Sequence, residues 1–294
     1  MKETFYQKNF HPRTKELLDT AIGIIENYFN EGYRLTLRQL YYVLVSKTII
    51  PNITTEYNKL SGLIKDGRMC GLIDWNAIED RIRIPYKHSE FDDLEDLIEA
   101  AINSYRLNRW KGQKNYVELW VEKDALSGVL KPIADKYHIT LMVNRGYSSA
   151  SAMYGASKRF INEAIEKENC ILLYLGDFDP SGEDMVRDIE ERQIEFRAKN
   201  VEIIKIALNP DQIKKYNPPP NPIKRADPRS RQFEEKYGGT CWEVDALEPK
   251  ILHKLIEKEI EKRLNWEKMN VIISQEEDDK RALRDFVEEY LEGK

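Results

Sequence analysis

Carboxylates follow two apolar segments of this sequence at the points where predicted strands end. Asp177 and Asp179 come directly after the apolar run 170–175, and Glu122 follows another that ends at Val121. Short apolar runs of this kind are typical of buried strands in a parallel sheet. Alternate residues share a face and ligands bind at the carboxyl edge of such sheets, so Asp177 and Asp179 are expected to point into one site. Neighbouring carboxylates repel one another unless a cation neutralises them, and hard oxygen ligands suit Mg²⁺ or Mn²⁺. The pattern predicts a metal site for phosphoryl transfer, with Glu122, Asp177 and Asp179 as ligands.

These acids also have a simpler interpretation, because acidic side chains cap helices and stabilise helix N-termini. The metal site is favoured because two strand ends must both deliver carboxylates to one edge. Glu122 is a candidate ligand or general acid/base. Glu118 has the same strand parity but lies inside the strand, which makes it the weaker candidate.

The second half of the chain alternates predicted strands and helices, as parallel α/β sheets do. A Pro-rich segment at 218–222 follows this alternation. Beyond it we predict a short strand at 240–244, a helix beginning with Pro249 in its first turn and an acidic helix over about 276–292. The predicted strands are 116–121, 139–143, 170–175 and 201–207, and the helices between them are 125–137, 149–167 and 182–198.

The first 90 residues have a different pattern, that of three helices and a small hairpin. Helices are predicted over 14–31, from an N-cap at Thr36 to about 45, and from an N-cap at Thr54 or Thr55 to about 69. Strands are predicted at 71–75 and 80–85. This is the winged-helix plan. The third helix carries a polar and basic face that suits a nucleic-acid groove or is an ordinary solvated surface, and it includes Asn58, Lys65 and Arg68.

Composition is that of a two-domain globular protein of 294 residues, with 41% apolar and 33% charged residues. No apolar run approaches the roughly 18 residues of a membrane span, and no signal-peptide core is found, so we expect a cytoplasmic protein with no membrane partner. Three distant cysteines argue against a disulfide framework. The net charge is −5, but residues 1–88 hold 13 Lys and Arg against 10 Asp and Glu. The N-terminal part is therefore the better phosphate-facing candidate.

Generic catalytic motifs are missing from the sequence. There is no Gly-x-Gly-x-x-Gly after the first sheet strand, no Gly-Lys-Ser/Thr loop and no Gly-x-Ser-x-Gly elbow. This weakens dehydrogenase, NTPase and serine-hydrolase interpretations.

Glu122 in a Val-Glu-Lys segment, with Asp177-x-Asp179-x-x-Gly182 downstream, resembles the Toprim domain of topoisomerases, primases and some nucleases. The sequence more closely resembles the A subunit of topoisomerase VI and its relatives, including the meiotic double-strand-break transesterases. The segments that carry this resemblance are Val121-Glu-Lys, Arg145-Gly-Tyr-Ser, Gly176-Asp-Phe-Asp-Pro-Ser-Gly, Trp242-Glu-Val-Asp-Ala-Leu-Glu-Pro and Thr36-Leu-Arg-Gln-Leu-Tyr-Tyr.

The resemblance implies an α/β protein with a winged-helix domain followed by a Toprim domain, whose parallel sheet is flanked by helices. The implied boundaries are a winged helix at 1–90, a linker at 91–115, a Toprim domain at 116–210 and a C-terminal extension at 211–294. It further implies binding of double-stranded DNA, a homodimer, and a tyrosine that attacks a DNA phosphate with help from Mg²⁺ on the partner protomer.

Two adjacent tyrosines match the family's catalytic motif. Tyr41 shares the apolar face of its helix, as a core residue does, whereas Tyr42 lies one turn from Arg38 on the flank. Arg38 is suited to bind the scissile phosphate and to favour the phenolate, which is scarce at neutral pH because its usual pKa is about 10. Tyr42 is therefore the predicted nucleophile, with packing of two aromatic rings as the alternative.

Further basic residues are candidates for phosphate contacts, although solvation alone would also explain them. Lys123 and Arg145 lie near the predicted site, and Lys224 and Arg225 lie in the basic, Pro-containing segment 214–231.

One departure from the family limits the transfer of function. The first predicted helix begins about a dozen residues in, where topoisomerase VI A subunits carry an extension that engages an ATPase subunit. Strand passage is therefore in doubt, and any ATPase or defence-system partner would be a separate chain. Relatives in a plasmid-defence system are thought to cut with the Toprim site alone. The alternatives are thus a Toprim nuclease that hydrolyses DNA and a non-catalytic DNA-binding subunit.

Overall fold

Three N-terminal helices form the first core of the protein. The computed structural model describes residues 2–78, 88–144, 146–223 and 227–292. For residues 290–292 it describes the backbone alone. Helices α1 (Pro12–Asn30), α2 (Leu37–Ser46) and α3 (Thr54–Met69) confirm the three predicted helices. Thr36 caps α2 as predicted, in a capping box with Gln39.

Two predictions for this region are wrong. Ile53, not Thr54 or Thr55, precedes the first residue of α3, and it offers no side-chain cap. Residues 71–75 form turns instead of a strand. Ile78 makes an isolated bridge to Leu35. The other predicted strand, 80–85, falls outside the described residues, so the helices are present but a wing is not shown.

The interval predicted as a linker contains a helix, α4 (Leu94–Ser104), which is capped by Asp93. It leads to a four-stranded parallel sheet of β1 (Asn115–Val121), β2 (Thr140–Val143), β3 (Asn169–Leu175) and β4 (Val201–Ala207) in the order β2-β1-β3-β4. Helices α5 (Ser127–Tyr137), α6 (Ala150–Glu163) and α7 (Pro180–Glu195) alternate with the strands. The predicted parallel α/β sheet flanked by helices is confirmed.

The two faces of the sheet bury different side chains, because neighbouring residues on a strand point to opposite faces. Leu119 and Leu173 belong to a core that includes α5 and the C-terminal helices. Trp120 and Tyr174 pack with Phe160 on the other face. Ala246, from beyond the sheet, joins the core of the N-terminal helices. The C-terminal segment thereby connects both parts of the chain.

That segment begins with α8 (Pro210–Tyr216), β5 (Asn221–Pro222), α9 (Ser230–Tyr237) and β6 (Thr240–Cys241). Strand β6 is shorter than predicted and pairs antiparallel with β5. Helix α10 (Pro249–Glu261) has Pro249 in its first turn, as predicted, and α11 (Trp266–Glu292) is longer than the predicted acidic helix. No helix in the described part of the chain is long and apolar enough to cross a membrane.

Helix α11 is anchored by a fully buried carboxylate, Glu276. It accepts hydrogen bonds from Arg109 Nη2 at 2.8 Å, Leu107 N at 3.0 Å and Lys280 Nζ at 2.9 Å. Burial opposes ionisation, but the hydrogen bonds from Arg109 and Lys280 outweigh it and lower the pKa of Glu276 to about 2.

We expect Glu276→Gln to lower the free energy of unfolding at pH 7 by about 3 kcal/mol, because it leaves buried cationic donors unpaired. The pKa of the folded form is depressed, so this stability is present above the unfolded pKa of about 4.3 and is lost as the pH falls toward 2. Urea melts of wild type and variant at pH 7, 4 and 2.5 should therefore converge at low pH. Asp278→Asn, on the exposed face of the same helix, is the control and should change stability by less than about 0.5 kcal/mol.

Candidate metal and nucleophile site

The ends of β1 and β3 bring the predicted acidic motifs together. Val121 pairs with Leu175, so the residues that follow them leave the sheet side by side. Glu122 N donates to Leu175 O at 2.9 Å, and Glu122 Oε2 accepts from Asp177 N at 3.1 Å. All three predicted ligands line one open cavity of about 610 Å³ at the carboxyl edge of the sheet.

Asp177 is buried, and both of its carboxylate oxygens have partners. Oδ1 accepts from Val244 N at 2.9 Å, and Oδ2 lies 2.9 Å from Lys123 Nζ. Burial raises the pKa of Asp177 to about 7, against the opposing charge of Lys123. Burial likewise raises the pKa of Glu122. Burial makes the charged form of both carboxyls costly, so a nearby cation would stabilise them as carboxylates.

Asp179 has the capping role that the simpler interpretation gave it. Its Oδ1 accepts from Gly182 N at 2.7 Å at the start of α7. A Cβ on Gly182 would lie 2.3 Å from Asp177 O, so only glycine allows this tight turn. Lys205 supports the turn from β4, donating to Asp177 O at 2.8 Å and to Glu183 Oε1 at 2.6 Å. Asp179 Oδ2 and Glu122 Oε1 accept no hydrogen bond from any residue that the structure describes.

Lys123 lies inside the site, mostly buried, and not on an exposed phosphate-binding surface. Its Nζ is 2.9 Å from Asp177 Oδ2, 3.1 Å from Glu243 Oε2 and 3.0 Å from Asp245 Oδ1. The last two acids were not among the residues predicted for the site, although both lie in the segment 242–249 that carries part of the family resemblance. The sequence did not show that Glu243 and Asp245 pack against Lys123 in the folded chain.

Tyr42, on helix α2, is only 5% exposed and contacts Glu243. Its hydroxyl donates to Glu243 Oε2, and Arg38 Nη2 lies 3.4 Å from that hydroxyl. Arg38 Nε also donates to Asp245 Oδ2 at 2.9 Å. Tyr41 is a core residue, as predicted, with its hydroxyl 3.0 Å from Asn52 Oδ1.

Arg38 lowers the pKa of Tyr42, in the predicted direction, but other groups outweigh it in this conformation. Burial, together with the hydrogen bond to Glu243 and the charges of Glu243 and Asp245, raises the pKa of Tyr42 above its usual value. These effects outweigh the guanidinium, so the hydroxyl is held in its protonated form.

The donor chemistry suits Mg²⁺ or Mn²⁺, since Glu122, Asp177 and Asp179 offer hard carboxylate oxygens at one cavity. Within the described ranges, however, no three His, Cys, Asp or Glu residues are arranged to hold a metal ion. Lys123 supplies the positive charge at Asp177 instead. A cation bound by Asp177 would have to replace this contact.

The other predicted residues are dispersed. Asn58 and Lys65 are exposed on α3. Arg68 is turned toward its own domain: its Nη2 donates to Trp75 O at 3.0 Å and to Ile78 O, so it does not share their exposed surface. Three predicted phosphate contacts, Arg145, Lys224 and Arg225, lie outside the described residues.

Glu118, the weaker candidate ligand, is fully buried away from the cavity lining. Arg159 Nε and Nη2 bind it at 2.7 and 2.8 Å, and Trp120 Nε1 donates to it at 2.8 Å. Its oxygens are thus used by structural partners.

Comparison with known proteins does not add an identification. No protein-family model matches the sequence, and a search of curated proteins found no match. The resemblance to topoisomerase VI A subunits therefore stays a proposal that rests on the motifs.

Proposed function

We propose that the protein cleaves double-stranded DNA in the presence of Mg²⁺ or Mn²⁺, by transesterification onto Tyr42. One observation carries this proposal. The Tyr42 hydroxyl and Arg38 contact Glu243, and Glu243 shares Lys123 with Asp177 at the edge of the sheet. Two cations and the candidate metal ligands thus line one cavity, and the proposed nucleophile lies behind Glu243 at its edge.

In the proposed reaction, the Tyr42 oxygen attacks phosphorus and the bond to the 3′ oxygen breaks. The phenol loses its proton to water, and the departing 3′ oxygen gains one. The product is a 5′-phosphotyrosine and a free 3′ hydroxyl. Arg38 neutralises phosphate charge, and Glu122, Asp177 and Asp179 of the same chain, where the resemblance implied those of the partner protomer, would hold the metal. When bound, Mg²⁺ stabilises charge on the attacking and leaving oxygens.

Hydrolysis by the cavity carboxylates is the second candidate, and the burial of Tyr42 favours it. A tyrosine that is 5% exposed, with its hydroxyl held protonated, is a poor nucleophile in this conformation. In this alternative, water attacks the phosphate and Tyr42 is structural. A non-catalytic DNA-binding subunit is disfavoured by the intact acidic set at the cavity.

The proposed domains and partners follow from the resemblance to topoisomerase VI A subunits. We propose that the N-terminal helices, with Asn58 and Lys65 exposed, belong to a winged-helix DNA-binding domain and that the sheet belongs to a Toprim domain. A homodimer, and a separate ATPase or defence-system partner, complete this proposal. Light scattering of the purified protein would test the dimer.

A cleavage assay tests the proposed activity. Supercoiled DNA is incubated with the protein in Mg²⁺, in Mn²⁺ or in EDTA, and the reaction is stopped with detergent. We expect cutting only with the metals, and cut ends that resist a 5′ exonuclease even after protease digestion, because the phosphotyrosine bond keeps a peptide on the 5′ end. Cut ends that are freely digested from the start would support hydrolysis, and intact DNA under every condition would contradict both.

A further inference from the structure

Three donors from two distant parts of the chain converge on a single carboxylate oxygen. Tyr42 OH, Arg38 Nη2 and Lys123 Nζ all contact Glu243 Oε2, the last at 3.1 Å. A hydroxyl, a guanidinium and an ammonium around one oxygen form an oxyanion-binding cradle. The oxygen now in that cradle belongs to the protein itself.

A second carboxylate, that of Asp245, holds the two cations of the cradle independently of Glu243. Asp245 Oδ2 accepts from Arg38 Nε at 2.9 Å, and Asp245 Oδ1 lies 3.0 Å from Lys123 Nζ. The Asp245 side chain is completely buried. It therefore keeps both cations in place if the Glu243 side chain leaves.

Glu243, in contrast, can be displaced. Its side chain is 22% exposed and lines the open cavity, as do Arg38 and Lys123. The neighbouring backbone is fixed, because Trp242 exchanges two hydrogen bonds with Phe178, at 2.8 and 3.0 Å. A rotation of the Glu243 side chain toward the cavity would therefore open the cradle without moving its chain segment.

We propose that Tyr42, Arg38 and Lys123 form a binding site for a phosphate oxygen, which the Glu243 carboxylate occupies until a phosphate group displaces it. The ligand class is a tetrahedral phosphate, because guanidinium and ammonium groups bind such oxygens in short, charge-assisted hydrogen bonds. Its identification as a DNA phosphodiester rests on the proposed function. Glu243 is then an internal competitor that holds the tyrosine site closed.

Displacement would also change the state of the nucleophile. Lys123 and the hydrogen bonds from Tyr42 and Arg38 outweigh burial and lower the pKa of Glu243 to about 2, so it occupies the cradle as an anion. Its departure removes the carboxylate that accepts from the Tyr42 hydroxyl. The entering phosphate oxygen takes its place as acceptor, so Tyr42 passes from a protein carboxylate to the phosphate group in the same event.

Binding of inorganic phosphate, followed by ³¹P NMR without metal, tests the cradle directly. We expect Glu243→Ala to bind phosphate about tenfold more tightly than wild type, because the competitor is gone. Glu243→Gln should fall between them, since it loses the charge but keeps an oxygen in place. Glu248→Gln removes an equal charge five residues along the chain and should leave affinity unchanged. Adding Lys123→Met to Glu243→Ala should abolish the gain.

Equal affinity of Glu243→Ala and Glu248→Gln, with both variants folded by circular dichroism, would overturn the proposal. So would a gain that survives Lys123→Met, because the phosphate would then bind elsewhere. Wild-type protein that binds phosphate in this competitive manner but never cuts DNA would retain the cradle and reject the proposed reaction. The binding assay tests the cradle and the cleavage assay tests the proposed reaction, so a negative result in one does not decide the other.

Discussion

Replacing Asp177 with asparagine is expected to reduce DNA cutting in Mg²⁺ by at least about 100-fold. Asn keeps an oxygen that can accept from Val244 N, so the local fold is retained, but it removes the negative charge. A metal ligand contributes several kcal/mol of charge stabilisation in the transition state, and about 2.7 kcal/mol corresponds to 100-fold. The initial rate of plasmid cutting measures this effect.

Binding of Mn²⁺, followed by the electron paramagnetic resonance of the free ion, separates a ligand from a structural residue. Asp177→Asn should weaken Mn²⁺ binding and leave the melting temperature within a few degrees of wild type. Glu190→Gln, an exposed acid on α7, is the matched control and should affect neither. Unchanged Mn²⁺ affinity and cutting in Asp177→Asn would remove Asp177 from the proposed site.

Replacing Tyr42 with phenylalanine is expected to eliminate the covalent adduct and to lower cutting by at least about 1,000-fold if the tyrosine is the nucleophile. The ring remains to fill the core, while the hydroxyl that contacts Glu243 is lost. The measurement is labelled DNA that stays attached to protein in denaturing gels. The hydrolytic candidate makes the opposite prediction, since cutting would survive this change and still require Asp177.

Tyr41→Phe is a close control because it removes one hydroxyl from the adjacent buried tyrosine. Its hydroxyl contacts Asn52 and not the acids of the site. Adduct formation should stay within about threefold of wild type. An adduct lost in Tyr41→Phe but retained in Tyr42→Phe would reverse the assignment of the nucleophile.

The helix and strand pattern was largely predictable because it depends on local hydrophobic periodicity. The spacing of apolar residues placed β1, β3 and β4 within one residue of their ends. The cap at Thr36 was predictable for the same reason, since its partner Gln39 is three residues away. The strand at 71–75 failed because a short apolar segment does not distinguish a strand from a packed turn.

The contents of the site were less predictable. The two strand ends correctly placed Glu122 and Asp177 at one edge, and helix periodicity separated Tyr42 from the core residue Tyr41. Neither pattern indicated that Lys123 would be shared among three carboxylates. Residues adjacent in sequence to a ligand can point into the site or away from it, and packing decides which.

The sequence by itself determined which residues end the strands, which residues cap α2 and which tyrosine lies beside Arg38. Only the tertiary structure decided the charge environment, because Arg38 meets Asp245 across 207 positions of the chain and Lys123 meets the same acid across 122. The protonation state of Tyr42 depends on burial and on carboxylates from those distant segments. Local periodicity does not encode such contacts, whereas the folded chain brings the competing charges to one oxygen of Glu243.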